Sequence, residues 1–209
     1  MADKRPIIGV TMGDPAGVGP EIVLGALKSK EIYEKCIPVV IGHVGILRRC
    51  SEATGISAGP IEILNSPKDA KGVYGTVEVV HVETPGMQDI MPGTLSADAG
   101  RAADAFVKYA CELALAGEID AISTTPINKE SLRLANVEHI GHTEMLATYL
   151  DSPDPLTLFI TENMRGRHPV HRPELPVRYH AAHGTRVFPD CPERDTHRVR
   201  TLHHAQGPA

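Results

Sequence analysis

Continuous apolar runs alternate with amphipathic stretches along the first two thirds of the chain, and this alternation predicts strands and helices in turn. Ile7, Ile8, Gly9 and Val10 form a short apolar run that leads into Gly13-Asp14-Pro15-Ala16-Gly17-Val18-Gly19-Pro20-Glu21. The prolines lack an amide donor and the glycines reach backbone angles closed to other residues, so the segment is a tight loop at a strand's end. Pro20, followed by Glu21, Ile22, Val23, Leu24 and Ala26, marks a helix start with an acid near the positive end of the helix dipole. Ile37 to Gly42 has the uninterrupted hydrophobicity of a strand covered on both faces, and a second parallel strand is expected there. Val44 to Cys50 predicts a helix, and Ile61 to Leu64 a short strand introduced by Gly59-Pro60. Gly75 to Glu83 alternates, with Val77 and Val79 on one face and Thr76 and Glu78 on the other, as in a half-exposed strand.

A proline- and glycine-bearing loop from Thr84 to Gly93 is expected to separate two subregions. Ser96 then caps a long helix, with Asp98 in its first turn and Gly117 just past its end. Ala99, Ala103, Phe106, Ala110 and Leu113 keep to one face of it, and so many alanines imply close packing against another element. Gly117-Glu118-Ile119-Asp120-Ala121-Ile122-Ser123 predicts a helix stop and then a short strand that runs straight into Thr124-Thr125-Pro126-Ile127-Asn128-Lys129. Gly141 breaks the chain, and His142 or Thr143 opens another helix through Met145, Leu146, Tyr149 and Leu150. The β-α-β-α-β rhythm predicts an α/β layered sheet.

Composition narrows the class. With 209 residues and 42% hydrophobic content, the chain can bury a sizeable core. A net charge of −5 leaves no basic footprint for nucleic acid, and no apolar run has the length of a bilayer span. Met-Ala-Asp-Lys-Arg-Pro lacks a signal-peptide pattern, so the cytoplasm is the expected location. Cys36, Cys50, Cys111 and Cys191 are too widely spaced for a Cys-x-x-Cys pair or a disulfide framework. Buried reduced thiols are expected, with Cys111 a small core residue.

Candidate chemistry collects where strands end. Gly17-Val18-Gly19 supplies Gly-x-Gly, but Ile22 stands where the dinucleotide fingerprint needs a small residue, so the loop reads equally as a binding loop or a plain strand-to-helix connection. Asp14 has chemistry suited to a site. Thr124, Thr125, Asn128 and Lys129 sit at a strand's carboxyl end, the edge where open α/β sheets bind ligands. A solvated turn in which Thr125 and Asn128 cap the next helix fits the same residues. His139-Ile140-Gly141-His142-Thr143-Glu144 gathers two imidazoles, a hydroxyl and a carboxylate within six residues. His142 has the chemistry to donate to a substrate oxygen or to titrate near neutrality, and Thr143 to bond a hydroxyl or carboxylate; a surface histidine beside a helix cap is the plainer alternative.

Three separated motifs then coincide: the Gly13 to Glu21 loop, Thr124 to Lys129, and Gly141-His142-Thr143-Glu144. Together they resemble the 4-hydroxythreonine-4-phosphate dehydrogenase (PdxA-like) family from Pro6 to about Arg165. The resemblance implies an α/β subunit built like isocitrate and isopropylmalate dehydrogenases, acting as a homodimer with NAD and a divalent metal (zinc, magnesium or cobalt). The implied reaction oxidises the secondary alcohol of a phosphorylated hydroxy acid in pyridoxine phosphate biosynthesis. D-threonate or D-erythronate 4-phosphate and aromatic cis-dihydrodiols are the alternative substrates among relatives. His142 and Thr143 occupy the positions of the family's substrate-binding His-Thr pair, with Asp14, Asn128, Lys129 and Glu144 as further candidates; no catalytic residue is assigned.

The resemblance implies metal-binding histidines in contexts like Thr-His-x-x-Leu, Asn-Pro-His-Ala-Gly-Glu and Tyr-His-Asp-Gln-Gly, and none of these occurs here, so no metal ligand is assigned. Composition also changes at Arg165. Residues 165–209 hold 8 Arg, no Lys, 4 acids, 7 of the 11 His and 6 Pro, against 13 basic and 22 acidic residues before them. The expected organisation is therefore an incomplete PdxA-like α/β region over 1–164 and a non-family tail over 165–209, disordered or translated out of frame. His180, His183, His203 and His204 in that tail offer an alternative role in metal binding or basic interaction. The rival to a dehydrogenase is an inactive fragment that serves as a ligand-binding or dimerisation module.

Overall fold

Ile7–Thr11 forms β1, and the Gly13 loop turns it into helix α1, Gly19–Ala26, with Pro20 in its first turn and Glu21 beside the amide end. A computed structural model describes residues 5–152, 155–161 and 164–169 of the chain. A short helix α2 (Lys30–Lys35) leads to β2 (Ile37–Gly42) and α3 (Val44–Thr54), which stops at Gly55 in the left-handed region at φ 70°. β3 (Ile61–Leu64) and β4 (Val77–His81) follow. The long helix α4 (Ala97–Leu115) starts where the Ser96 hydroxyl accepts from the Ala99 amide at 3.1 Å. β5 (Ala121–Thr124), α5 (Lys129–Leu134) and α6 (His142–Tyr149) complete the first compact unit, which ends at Pro153.

The five strands make one parallel sheet in the order β3-β4-β2-β1-β5. All carboxyl ends therefore lie on one edge. Val40, Val77 and Val79 join a core with Val23 and Leu24 of α1 and Leu47 of α3, while Val39, Ile41 and Val80 join another with Ala110 and Leu113 of α4. Alternate side chains of β2 and β4 are thus covered from both sides, which is why β2 carries an unbroken apolar run. Ala103, Val107 and Cys111 of α4 form a third cluster with Leu132 of α5 and Met145 of α6. The alanine face of α4 serves this approach: a Cβ on Gly100 would lie 2.0 Å from the Ser131 carbonyl oxygen of α5.

Two expectations are corrected. β4 is buried along Val77 to Val80 rather than half-exposed, because β2 and β3 flank it and Glu78 turns inward. The Glu78 carboxylate, 3% exposed, accepts from the Lys71 and Gly72 amides at 2.7 and 2.8 Å, so a charge at an apparently polar position is consumed by backbone donors. The Thr84 to Gly93 loop does not divide the unit; α4 beyond it packs on β1, β2 and β5. Met87 and Ile90 bury within the loop, and the Gly93 amide donates to the Ala16 carbonyl at 2.7 Å.

Cys111 is fully buried, and burial pushes its thiol up to about 11, whereas Cys36 and Cys50 are partly exposed free thiols. Among the described residues no helix is long and apolar enough to cross a membrane. The second unit, from Asp154, contains an antiparallel hairpin of β6 (Leu156–Thr161) and β7 (Met164–Pro169). β7 runs across the composition change at Arg165, and the tail histidines His180, His183, His203 and His204 lie outside the described residues.

Candidate functional site

The loops after β1 and β5 interlock at the carboxyl edge of the sheet. Register pairs Thr11 with Thr124, so the two strands deliver their loops side by side. The Asp14 amide donates to the Pro126 carbonyl at 3.0 Å, and the buried Thr125 hydroxyl donates back to the Thr11 carbonyl at 3.0 Å. The glycines make room for this contact. Gly13 has φ 71°, and a Cβ there would lie 2.4 Å from the Pro126 oxygen; a Cβ on Gly19 would lie 2.1 Å from the Met12 oxygen. Gly13 and Gly19 are therefore small because their own chain approaches them, which accounts for a glycine loop that lacks the dinucleotide spacing.

Asp14 holds this loop together. Its carboxylate accepts from the Ala16 amide at 2.8 Å and bonds the Gly17 backbone, while burial raises its pKa above the usual carboxylate value. Asn128 caps α5: its side-chain oxygen accepts from the Glu130 and Ser131 amides at 2.9 and 3.2 Å. Thr125 is a loop tie instead of a cap. Lys129 is exposed in the first turn of α5, and Thr143 and Glu144 are exposed in the first turn of α6.

His142 opens α6 behind the Gly141 cap, and its ring bonds the Thr125 backbone carbonyl. The three sequence motifs thus meet at Thr125. His142 Nε2 is buried without a hydrogen-bond partner. Burial lowers the His142 pKa below 6.5, the carbonyl bond opposing it, and the ring is neutral at pH 7. The hydroxyl of Thr11, at the end of β1, is a second buried polar atom with no partner in this region of the chain.

A cluster that the sequence did not reveal lies further along the same edge. His43 after β2, His81 ending β4 and Glu83 bring ligand atoms within 4.8 Å of one another, the one such group among the described residues. Both rings bond the same carboxylate oxygen, Glu83 Oε2, from His43 Nε2 at 3.0 Å and His81 Nε2 at 3.2 Å. Their Nδ1 atoms accept backbone amides, from Ile46 to His43 and from Val44 to His81, each at 3.2 Å. A metal-bound imidazole carries its proton on the nitrogen away from the metal, so this donor pattern does not fit an ion. Separation hid the cluster from sequence reading: pairing of Gly42 with His81 in the sheet brings the two histidines together.

Comparison with known proteins gives the lineage. Residues 34–171 match the family model described as pyridoxal phosphate biosynthetic protein PdxA, which includes the second and third motifs but not the glycine loop. A protein of Halalkalibacterium halodurans, provisionally named D-threonate 4-phosphate dehydrogenase, is 44% identical over 163 residues, 78% of this chain and 48% of its own length. One of the same provisional name from Symbiobacterium thermophilum is 43% identical over 163 residues, covering 78% and 48% of the two chains. A crystal structure of a 4-hydroxythreonine-4-phosphate dehydrogenase from Burkholderia phymatum superposes with a TM-score of 0.73 at 37% identity, over 79% of this chain and 50% of that one. The chain spans about half the length of the relatives it matches.

Proposed function

Because this chain belongs to the PdxA family of dehydrogenases, we propose that it contributes the substrate-binding edge of an enzyme that oxidises the secondary alcohol of a phosphorylated hydroxy acid. The observation that carries the reading is His142, whose ring interacts with the Thr125 backbone while its Nε2 is buried with no protein partner. With its proton on Nδ1, the neutral ring presents Nε2 as an acceptor. It accepts a hydrogen bond from a substrate hydroxyl, and in the transition state it takes part of the proton that the alcohol releases. Thr143, exposed on the same turn, supplies a hydroxyl for the substrate's carboxylate or phosphate. Lys129 and Asn128, at the start of α5, place a cation and an amide for the phosphate. Asp14 keeps the glycine loop in place and Glu144 lies beside Thr143 without an assigned contact.

In this reading NAD, when bound, would supply the hydride acceptor for the carbinol carbon, and the β-keto acid product can lose carbon dioxide. The close approach of the chain explains Gly13 and Gly19 without a nucleotide, and His43, His81 and Glu83 do not suit a metal. No step here runs through either group. The same reading makes the working form a cytoplasmic homodimer. D-threonate 4-phosphate is the first substrate to test, since the two curated relatives carry that name, followed by 4-hydroxythreonine 4-phosphate.

Calorimetric titration of the full chain with D-threonate 4-phosphate, 4-hydroxythreonine 4-phosphate and their dephosphorylated forms tests binding, and NAD reduction with and without zinc or magnesium tests turnover. His142→Asn is the diagnostic variant, since its amide can reproduce the Nδ1 donor but leaves no acceptor at the Nε2 position. Affinity for the phosphorylated acid is expected to fall at least about tenfold, roughly the loss of one charge-independent hydrogen bond in a buried site. Equal binding by wild type and variant rejects the assignment of His142. Binding without NAD reduction favours a ligand-binding module over an enzyme.

A further inference from the structure

We infer that His43, His81 and Glu83 form a proton-sensitive clamp that ties the start of α3 to the ends of β2 and β4, in place of a metal centre. The donor set alone, two imidazoles and a carboxylate, would suit zinc. The second nitrogens decide otherwise. With Nδ1 of each ring accepting a backbone amide, both ring protons reside on Nε2 and both point at Glu83 Oε2. An ion seated among the three groups would force those protons onto Nδ1, where the Val44 and Ile46 amide hydrogens already lie.

In the neutral state every group is matched: two amides donate to two rings, and two rings donate to one carboxylate. A further proton must go to an Nδ1 atom. It removes the acceptor from one amide and places a positive charge at the amino end of α3, where the helix dipole is also positive. The two amides are unequal in this respect. Ile46 also donates to the His43 carbonyl at 3.1 Å, whereas His81 Nδ1 is the one acceptor for Val44 among the described residues. The Val44 amide is therefore the one left without an acceptor when its ring partner is protonated.

The surroundings set the balance. Glu83 favours a protonated ring; Arg49 of α3 and the neighbouring imidazole, with ring centres 4.7 Å apart, oppose one. Lys108, Tyr109 and Glu112 of α4 line an open groove with His81 and Glu83. Burial lowers the His43 pKa below 6.5, so that ring is neutral at pH 7.5. Because α3 packs on α1, loosening of the first turn of α3 by acid reaches the helix that follows the glycine loop.

Nitrogen-15 NMR of the full chain tests the clamp directly. Near pH 8 both rings are expected as Nε2–H tautomers, and between pH 8 and pH 5 the Val44 amide should lose about tenfold in exchange protection beyond the intrinsic pH effect, the size of a lost helix cap. His81→Asn keeps an acceptor for Val44 but does not titrate, so its Val44 protection should be independent of pH; His43→Asn should leave Val44 dependent on it. Zinc titration should give the same affinity for wild type and both variants. An Nδ1–H tautomer in either ring, pH-independent Val44 protection in the wild type, or a zinc site abolished by both substitutions overturns the proposal. If a variant does not fold, the wild-type tautomers decide.

Discussion

The Thr125 hydroxyl donates to the Thr11 carbonyl across the carboxyl ends of β5 and β1, at 3.0 Å and with Thr125 only 5% exposed. The same residue offers its own carbonyl to His142. Thr125→Val preserves shape and removes the donor, and should cost about 1–3 kcal/mol in urea unfolding. A change below about 0.5 kcal/mol, the level of a neutral surface substitution, would show that the bond contributes nothing.

The glycine loop gives a sharper comparison between two neighbours. Gly19→Ala forces a Cβ to 2.1 Å from the Met12 oxygen and 3.0 Å from the Thr125 hydroxyl, so the loop must shift, at a cost of about 3 kcal/mol. Gly17→Ala meets nothing closer than the Asp14 Cβ at 3.4 Å and should stay within about 0.5 kcal/mol of wild type. Thermal unfolding of both variants checks the order, and equal loss at the two positions contradicts the packing assigned to the loop.

How far the sequence could be read follows from which side chains carry the signal. β1, β2 and the Ser96 start of α4 are legible because apolar runs and a capping hydroxyl act locally. β4 is misleading for a physical reason: Glu78 looks solvent-facing, but its charge is met by two amides of the preceding loop. α2 is hard to see because Tyr33 is its one buried residue. In the candidate site, the cap role of Asn128 is legible from its type and position, whereas the role of Thr125 depends on a partner across the sheet. The His43 cluster depends on parallel pairing of distant segments and leaves no local trace.

Glu78 supplies a third measurement. Glu78→Ala strands the Lys71 and Gly72 amides in a buried setting and should cost about 2–4 kcal/mol, the sum of two unmet donors. Glu78→Gln retains one acceptor oxygen and should lose roughly half as much. Urea unfolding that shows the two variants alike would mean that the amides find other acceptors.

His142 sets the direction of a pH effect. Its folded pKa lies below 6.5, mainly through burial, so the unfolded chain takes up a proton first as pH falls. Its contribution to stability is whole above pH 6.5 and is lost below it, towards the folded pKa. His43 acts in the same sense. Stability measured from pH 8 to pH 5 should decline, and His142→Asn should flatten part of the decline. A wild-type stability that rises over that interval contradicts the neutral, buried imidazole.

Asn128 separates a structural from a binding role with two substitutions. Its side-chain oxygen caps α5 through the Glu130 and Ser131 amides, so Asn128→Ala should cost about 1 kcal/mol of stability. Asn128→Asp keeps the cap, and a carboxylate near the amino end of the helix is favourable, so its stability should match the wild type. The proposed contact between the Asn128 amide nitrogen and the substrate phosphate predicts the opposite for binding. There Asn128→Asp should weaken D-threonate 4-phosphate at least about tenfold, since a donor is replaced by a charge of the same sign as the ligand. Calorimetry on the two variants gives a clear division: wild-type affinity in Asn128→Asp assigns the residue to the helix alone, and weakened binding with intact stability assigns it to both.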